Sequence, residues 1–149
     1  MTDNARQAME VLREYHHIDK RAREVEERIA RCREDATRAT ASMTAVRTSG
    51  TGERSRIETA VVRMVDIQDQ LGDILQQAAT VRIRIQTAIN ATRPEEYKRL
   101  LELRYIDGNQ WDEVNEALYI SRSTSYRWHA AALEEFWIVY KNMEHYGTE

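Results

Sequence analysis

From Ala8 onward, apolar residues recur at alternating steps of three and four: Ala8, Val11, Tyr15, Ile18, Ala22, Val25, Ile29, Cys32, Ala36, Ala39, Met43 and Val46. A period near 3.5 holds one stripe against one partner along the whole length of a helix. Its persistence over more than five heptads predicts a long coiled-coil helix. Between the stripe positions lie mixed-charge stretches such as RAREVEERIARCRED, whose acids and bases four residues apart suit a solvated face. The segment Arg47 to Arg54, RTSGTGER, breaks the pattern with two glycines and small polar residues, and predicts a turn.

A second stripe runs Ile57, Ala60, Met64, Ile67, Leu71, Ile74, Ala78, Val81, Ile85 and Ala88 in the same unbroken steps. Val61, Val65, Leu75 and Ile89 widen it, which predicts contact with more than one neighbour. Two stripes of similar length joined by a short turn predict an antiparallel helical hairpin, with arms of roughly 55 Å at about 1.5 Å per residue. The Ala-rich packing around Ala36 and Ala39 is thin, so the expectation is that two hairpins pair in a homodimer. The other solution is arms that fold back on the C-terminal part of the same chain.

Periodicity lapses at NATRPEE. There Pro94 suits the first turn of a new helix and Glu95 and Glu96 complement its dipole. The reading is therefore all-α, with a helical hairpin over residues 1–92, for dimerisation or partner binding, and a small three-helix domain over 93–149. The three helices are expected at Glu95 to Ile106, closed by Asp107-Gly108 with glycine as a left-handed cap; at Trp111 to Leu118; and from Arg122 to about Tyr140, with Ser121 as N-cap.

The last two segments, separated by Tyr119-Ile120-Ser121, have helix-turn-helix spacing. In that arrangement Trp111, Val114, Leu118, Ile120, Trp128, Ala132, Phe136 and Trp137 face inward. Left outward at the start of the second helix are Arg122, Ser123, Thr124, Tyr126 and Arg127, whose guanidinium and hydroxyl groups can donate to base edges and phosphates in a major groove. These five are the expected DNA-contacting residues. Three positions depart from the general motif, which prefers a small residue at Asn115, glycine at Tyr119 and a branched aliphatic at Ser125. A non-glycine left-handed residue costs about 1–2 kcal/mol, and loss of a buried aliphatic roughly 1.5–3 kcal/mol.

Composition agrees with a helical chain: 149 residues, 32% charged, 7% aromatic, one proline and five glycines. A net charge of −3 argues against bulk attraction to nucleic acid or to anionic membrane. From Pro94 to Glu149 six Lys and Arg face eleven Asp and Glu. A DNA reader of this charge would need few contacts per module, as in a dimer, because phosphate neutralisation supplies much of the affinity of free-standing readers. The same balance suits a helix-turn-helix turned to binding protein. The opening residues MTDNARQAMEVLREYHH carry acids and histidines where an export signal needs an apolar core. With one cysteine, a reduced cytoplasmic setting and no membrane partner are expected.

The stretch LLELRYIDGNQWDEVNEALYISRSTSYRWHAAAL resembles region 4 of sigma-70-type factors. It is more similar still to the sigma-region-4-like C-terminal parts of phage transcriptional regulators of the RinA and ArpU kind. In those regulators a long helical N-terminal part carries a Thr/Ser/Gly segment, similar to TRATASMTAVRTSGTGERSRIETAVVRMVDI here. The resemblance implies a phage or prophage DNA-binding transcriptional regulator, a late-gene activator, with double-stranded DNA and RNA polymerase as partners in the cytoplasm of a bacterial host cell. It carries promoter contact onto Arg122, Ser123, Tyr126 and Arg127. The alternative, from another class, is an interaction module whose helix-turn-helix binds polymerase or a packaging component.

Other signals point to no catalysis, cofactor or metal. His16 and His17 are helical neighbours about 100° apart with no third ligand one turn on, and read as a surface pair. His129 reads as a partly exposed packing residue or, as the alternative, a phosphate contact, Cys32 as a small buried hydrophobe on its stripe, and GTGER as a plain turn, lacking the strand and Gly-Lys-Ser/Thr of a phosphate loop. No nucleophile lies at helical spacing from a base, so an enzyme is not expected.

Overall fold

The computed structural model describes residues 1–45 and 51–146, and among them every regular element is helical. The elements are α1 (Asp3–Ala45), α2 (Thr51–Ala91), α3 (Glu95–Leu101), which continues into a π-helical stretch (Glu102–Ile106), α4 (Trp111–Leu118) and α5 (Arg122–Tyr146). Residues 46–50, which hold the stripe residue Val46 and the first part of the expected turn from Arg47, lie outside the described residues, as do the side chains of Ala39 and Met43. The turn was expected to run to Arg54, but α2 already begins at Thr51. A glycine such as Gly52 costs a helix only about 1 kcal/mol, which the rest of so long an element offsets.

The chain divides into two compact units, one of Met1–Asp19 with Thr80–Glu149 and one of Lys20–Ala79. This is a different partition from hairpin 1–92 and head 93–149. Both the first turns of α1 and the last turns of α2 belong to the compact unit of the C-terminal helices. The reason is burial. Ala5, Ala8, Leu12 and Tyr15 of α1 share one core with Ile85, Ala88 and Ile89 of α2, Leu100 and Leu101 of α3, Val114 of α4, and Leu133, Phe136 and Tyr140 of α5. Leu12, Ile85, Ile89 and Phe136 are fully buried there.

Polar contacts set the register inside this unit. Gln86 donates to the Tyr15 hydroxyl at 2.9 Å, and one turn further from the chain's start on α1 Asp19 pairs with Arg82 at 3.2 Å. The two helices therefore run antiparallel here. Helix α5 is tied to α2 by the Arg84–Glu144 pair at 2.9 Å, with the Arg84 guanidinium 4.4 Å above the Tyr140 ring. The Thr2 hydroxyl donates to Glu134 of the same helix. Helix α2 ends at the buried Thr92, whose hydroxyl donates to the Ala88 carbonyl at 2.9 Å.

In the unit Lys20–Ala79, Ala22, Val25 and Leu71 are buried, while Ile29, Cys32 and Ala36 are half-buried. Cys32 is thus less enclosed than its stripe position implied. Val61, Val62, Val65 and Ile67 are exposed.

The π-helical stretch is marked by the Asp107 amide, which donates to the Glu102 carbonyl at 2.9 Å, five residues back. Gly108 follows in the left-handed region, with φ at 74°, as its place at the helix end predicts. A β-carbon there would sit 3.3 Å from the His16 ring. Within the stretch, Tyr105 is buried and its hydroxyl meets Nε2 of His129 at 2.7 Å. His129 was expected to be partly exposed and is buried. It is enclosed by Tyr105 and by the Trp111 ring, edge-on with centroids 4.7 Å apart. Burial, reinforced by Arg104 and Arg13, pushes the His129 pKa down to about 4. Burial pushes the Tyr105 phenol up to about 12 against the opposing pull of the same arginines.

Two outcomes follow. Leu12→Ala should cost about 2–5 kcal/mol in urea unfolding, the loss expected of a residue in the main core and not of one on an independent arm. The neutral His129–Tyr105 pair should also make stability depend on pH in a stated direction. His129 takes up a proton near pH 6.5 when unfolded but only near 4 when folded, so its contribution is complete above pH 6.5 and is lost as pH falls to 4, by about 3 kcal/mol. Unfolding measured from pH 7 to 4.5 should show this slope, and His129→Leu should flatten it.

Candidate nucleic-acid interface

Helix α4 starts after an extended Gln110, whose backbone N–H donates to the Glu113 carboxylate at 2.7 Å. This contact satisfies one of the free donors at a helix start. The helix ends at Tyr119, which adopts φ 54° and ψ 45°. The left-handed residue therefore stands where the helix-turn-helix pattern puts glycine. Its strain is offset by two bonds closing the turn, from Tyr119 N–H to the Glu116 carbonyl at 3.2 Å and from Ile120 N–H to the Asn115 carbonyl at 3.1 Å.

Ser121 caps α5 as expected, its Oγ accepting from the Thr124 N–H at 3.2 Å. Val114, Ala132 and Phe136 are buried, while Trp111, Leu118, Trp128 and Trp137 are half-buried against the same core. Ser125 is buried where the general motif carries an aliphatic residue.

The five expected contact residues separate on this frame. Arg122, Ser123, Tyr126 and Arg127 are exposed and Thr124 is half-buried. Thr124 was expected outward with the others. Its hydroxyl is drawn into the cap, where it accepts from Ser121 Oγ at 3.0 Å and from Arg127 at 3.4 Å. A cap threonine is poorly free to read a base, because rotating it outward gives up these bonds.

Arg122 pairs with Asp112 at 3.2 Å, with 86% and 78% of the two side chains exposed. A pair so fully solvated contributes at most about 1 kcal/mol, so the guanidinium is available to a stronger acceptor. Tyr126 is 69% exposed and Tyr119 94%. Two tyrosines that open to water flank the start of α5, and of these Tyr119 was treated from sequence only as a turn residue.

Beside this surface lies a cleft of about 680 Å³, whose walls include Arg13 and His16 of α1, Arg104 of the π-helical stretch, Trp111 and Asn115 of α4, and Tyr126 of α5. His17 lines it as well, so the histidine pair faces a concave site within its own unit. Arg104 donates to the Asn109 carbonyl at 2.8 Å and lies 5.0 Å from the Trp111 ring centroid. Of the lining residues, Arg13 and Arg104 carry no signal in the sequence, because they come from segments far apart in the chain and share no local motif. Among the described residues no three His, Cys, Asp or Glu side chains converge as a metal-binding group, and no helix is long and apolar enough to cross a membrane.

No curated protein and no solved structure matches the chain. A protein-family model matches residues 38–136, from the distal part of α1 through α4 to Phe136 in α5. It thus takes in the whole helix-turn-helix and leaves out the α1 wall of the cleft. The match extends over about two thirds of the sequence, and the chain belongs to that family, described as "Protein of unknown function (DUF1492)".

Proposed function

We propose that the protein is a DNA-binding transcriptional regulator of phage or prophage type, acting as a late-gene activator and reading duplex DNA with the start of α5. The observation that carries this reading is the set of exposed side chains, Arg122, Ser123, Tyr126 and Arg127, projecting from the first turns of a helix that follows a tight left-handed turn. Arginine offers paired donors to guanine edges, and the hydroxyls and phenol suit phosphates and the remaining base edges. These are also the residues onto which the likeness to sigma region 4 carries promoter contact.

Charge bears on how such a reader would work. Residues 94–149 hold six Lys and Arg against eleven Asp and Glu, so a single head gains little from phosphate neutralisation. Dimerisation answers this by doubling the contacts, with two half-sites one helical turn or a multiple apart. The exposed Val61, Val62, Val65 and Ile67 on α2 support a second copy as the partner, since apolar groups of this size left in water favour association. RNA polymerase is a further partner on this reading. The acidic balance of the head favours the second reading, a helix-turn-helix that binds polymerase or a packaging protein and not DNA.

Salt-dependent binding of the full chain to pooled phage and host promoter fragments separates the two. Arg122→Ala and Arg127→Ala should each weaken specific binding by about 1–3 kcal/mol. Unchanged binding in the double variant assigns the helix to protein recognition. Sedimentation should show a dimer for the parent chain and a shift to monomer for Val62→Glu. A monomeric parent chain excludes the paired arrangement.

A further inference from the structure

The cleft beside α5 has the size of a small-molecule site, about 680 Å³, within the usual range for such pockets of roughly 300–1,000 Å³. Its chemistry is not that of the surrounding surface. Three arginines, Arg13, Arg104 and Arg122, line it from three different elements. Asp112 is the single carboxylate among its described lining residues, and it is already paired with Arg122 at 3.2 Å. A concave site with this excess of guanidinium selects an anion, and two-pronged guanidinium donors favour phosphate or carboxylate geometry.

Its other walls are flat. Trp111, Tyr126 and His16 also line the cleft, and aromatic side chains are platforms on which a planar heterocycle stacks. Asn115 adds a polar determinant. It lines the cleft, and its buried Oδ1 has no hydrogen-bond partner. The protein supplies no donor for this acceptor, and a ligand N–H is the group that would satisfy it. The floor is the neutral His129–Tyr105 pair, which adds no charge of its own near neutral pH.

An anion, a planar ring and a ring-borne N–H are united in one class of common metabolite. We propose that this cleft binds a nucleoside monophosphate, with the phosphate held by Arg13 and Arg104, the base stacked against Trp111 and Tyr126, and a base N–H donated to Asn115. Arg122 and Tyr126 also belong to the duplex-facing set. On the DNA reading, therefore, a bound nucleotide occupies one side chain, Tyr126, that the duplex needs, and lies beside another, Arg122.

Isothermal titration of the full chain, without DNA, with each common 5′-ribonucleoside monophosphate tests the proposal independently of any duplex. At least one should bind, and Arg13→Ala should weaken it about tenfold or more; Arg13 is exposed, so the variant should unfold at the parent's temperature. Arg104→Gln should weaken it comparably, and the parent nucleoside and inorganic phosphate should each bind far more weakly than the nucleotide. Inorganic phosphate binding as tightly as the nucleotide would mean that no base is recognised, and would overturn the assignment. So would tighter binding of benzoate, or no heat from any nucleotide at millimolar concentration. Loss of duplex binding in Arg13→Ala with no nucleotide bound would make the cleft part of the duplex interface instead.

Discussion

The structure depends on how the apolar faces of α1 and α2 are covered where the two helices meet near the start of α1 and the end of α2. Two helices in contact bury only a narrow stripe on each. Yet Leu12, Ile85 and Ile89 are all fully buried. That requires a further layer, and α3 and α5 supply it with Leu100, Leu101, Leu133 and Phe136. The C-terminal helices are consequently not a bead on a stalk. Their core is completed by the first nineteen residues and by the end of α2, and the start of α5 is held in place by that same packing.

A polar consequence follows from this enclosure. The π-helical stretch turns Tyr105 inward to meet His129, and both groups are held in their neutral forms by burial. An uncharged, hydrogen-bonded pair is a tolerable polar insertion in an apolar core, whereas a buried imidazolium beside Arg104 and Arg13 would be costly. The same wide turn carries Arg104 across to Trp111. One irregular segment thereby sets both the floor and a charged wall of the cleft, in keeping with the frequent occurrence of π-helical turns at functional sites.

Electrostatics divide the head into regions of opposite character. Residues 94–149 are net acidic, six Lys and Arg against eleven Asp and Glu, but guanidinium groups gather around the cleft and the start of α5. Arg13 matters particularly because it arrives from α1, outside the stretch matched by the family model. Local clustering, and not net charge, is what a ligand or duplex within a Debye length of about 10 Å experiences.

The all-helical class, the C-terminal ends of α2 and α4, the start of α5, the left-handed Gly108 and the Ser121 cap were legible in residue order, because each rests on contacts within a few residues. So was the outward direction of Arg122, Ser123, Tyr126 and Arg127, which follows from helical periodicity and the inward Trp128 and Ala132. Helix α5, expected to stop near Tyr140, runs on to Tyr146 because Met143 and the Arg84–Glu144 pair hold its last turns to the core. Thr124 was not legible, since the choice between an outward hydroxyl and one bonded to Ser121 Oγ is decided by rotamer geometry. Leu12 lies off the stripe that carries Val11 yet is the more buried of the two, because a regular three-four stripe selects one partner and the third layer requires a broader buried arc. The burial of His129, the division at Asp19 and Thr80, and the cleft were decided by tertiary packing alone. They join residues about ninety positions apart, such as Arg13 and Arg104, and no periodicity along a chain encodes which distant surfaces will close on one another.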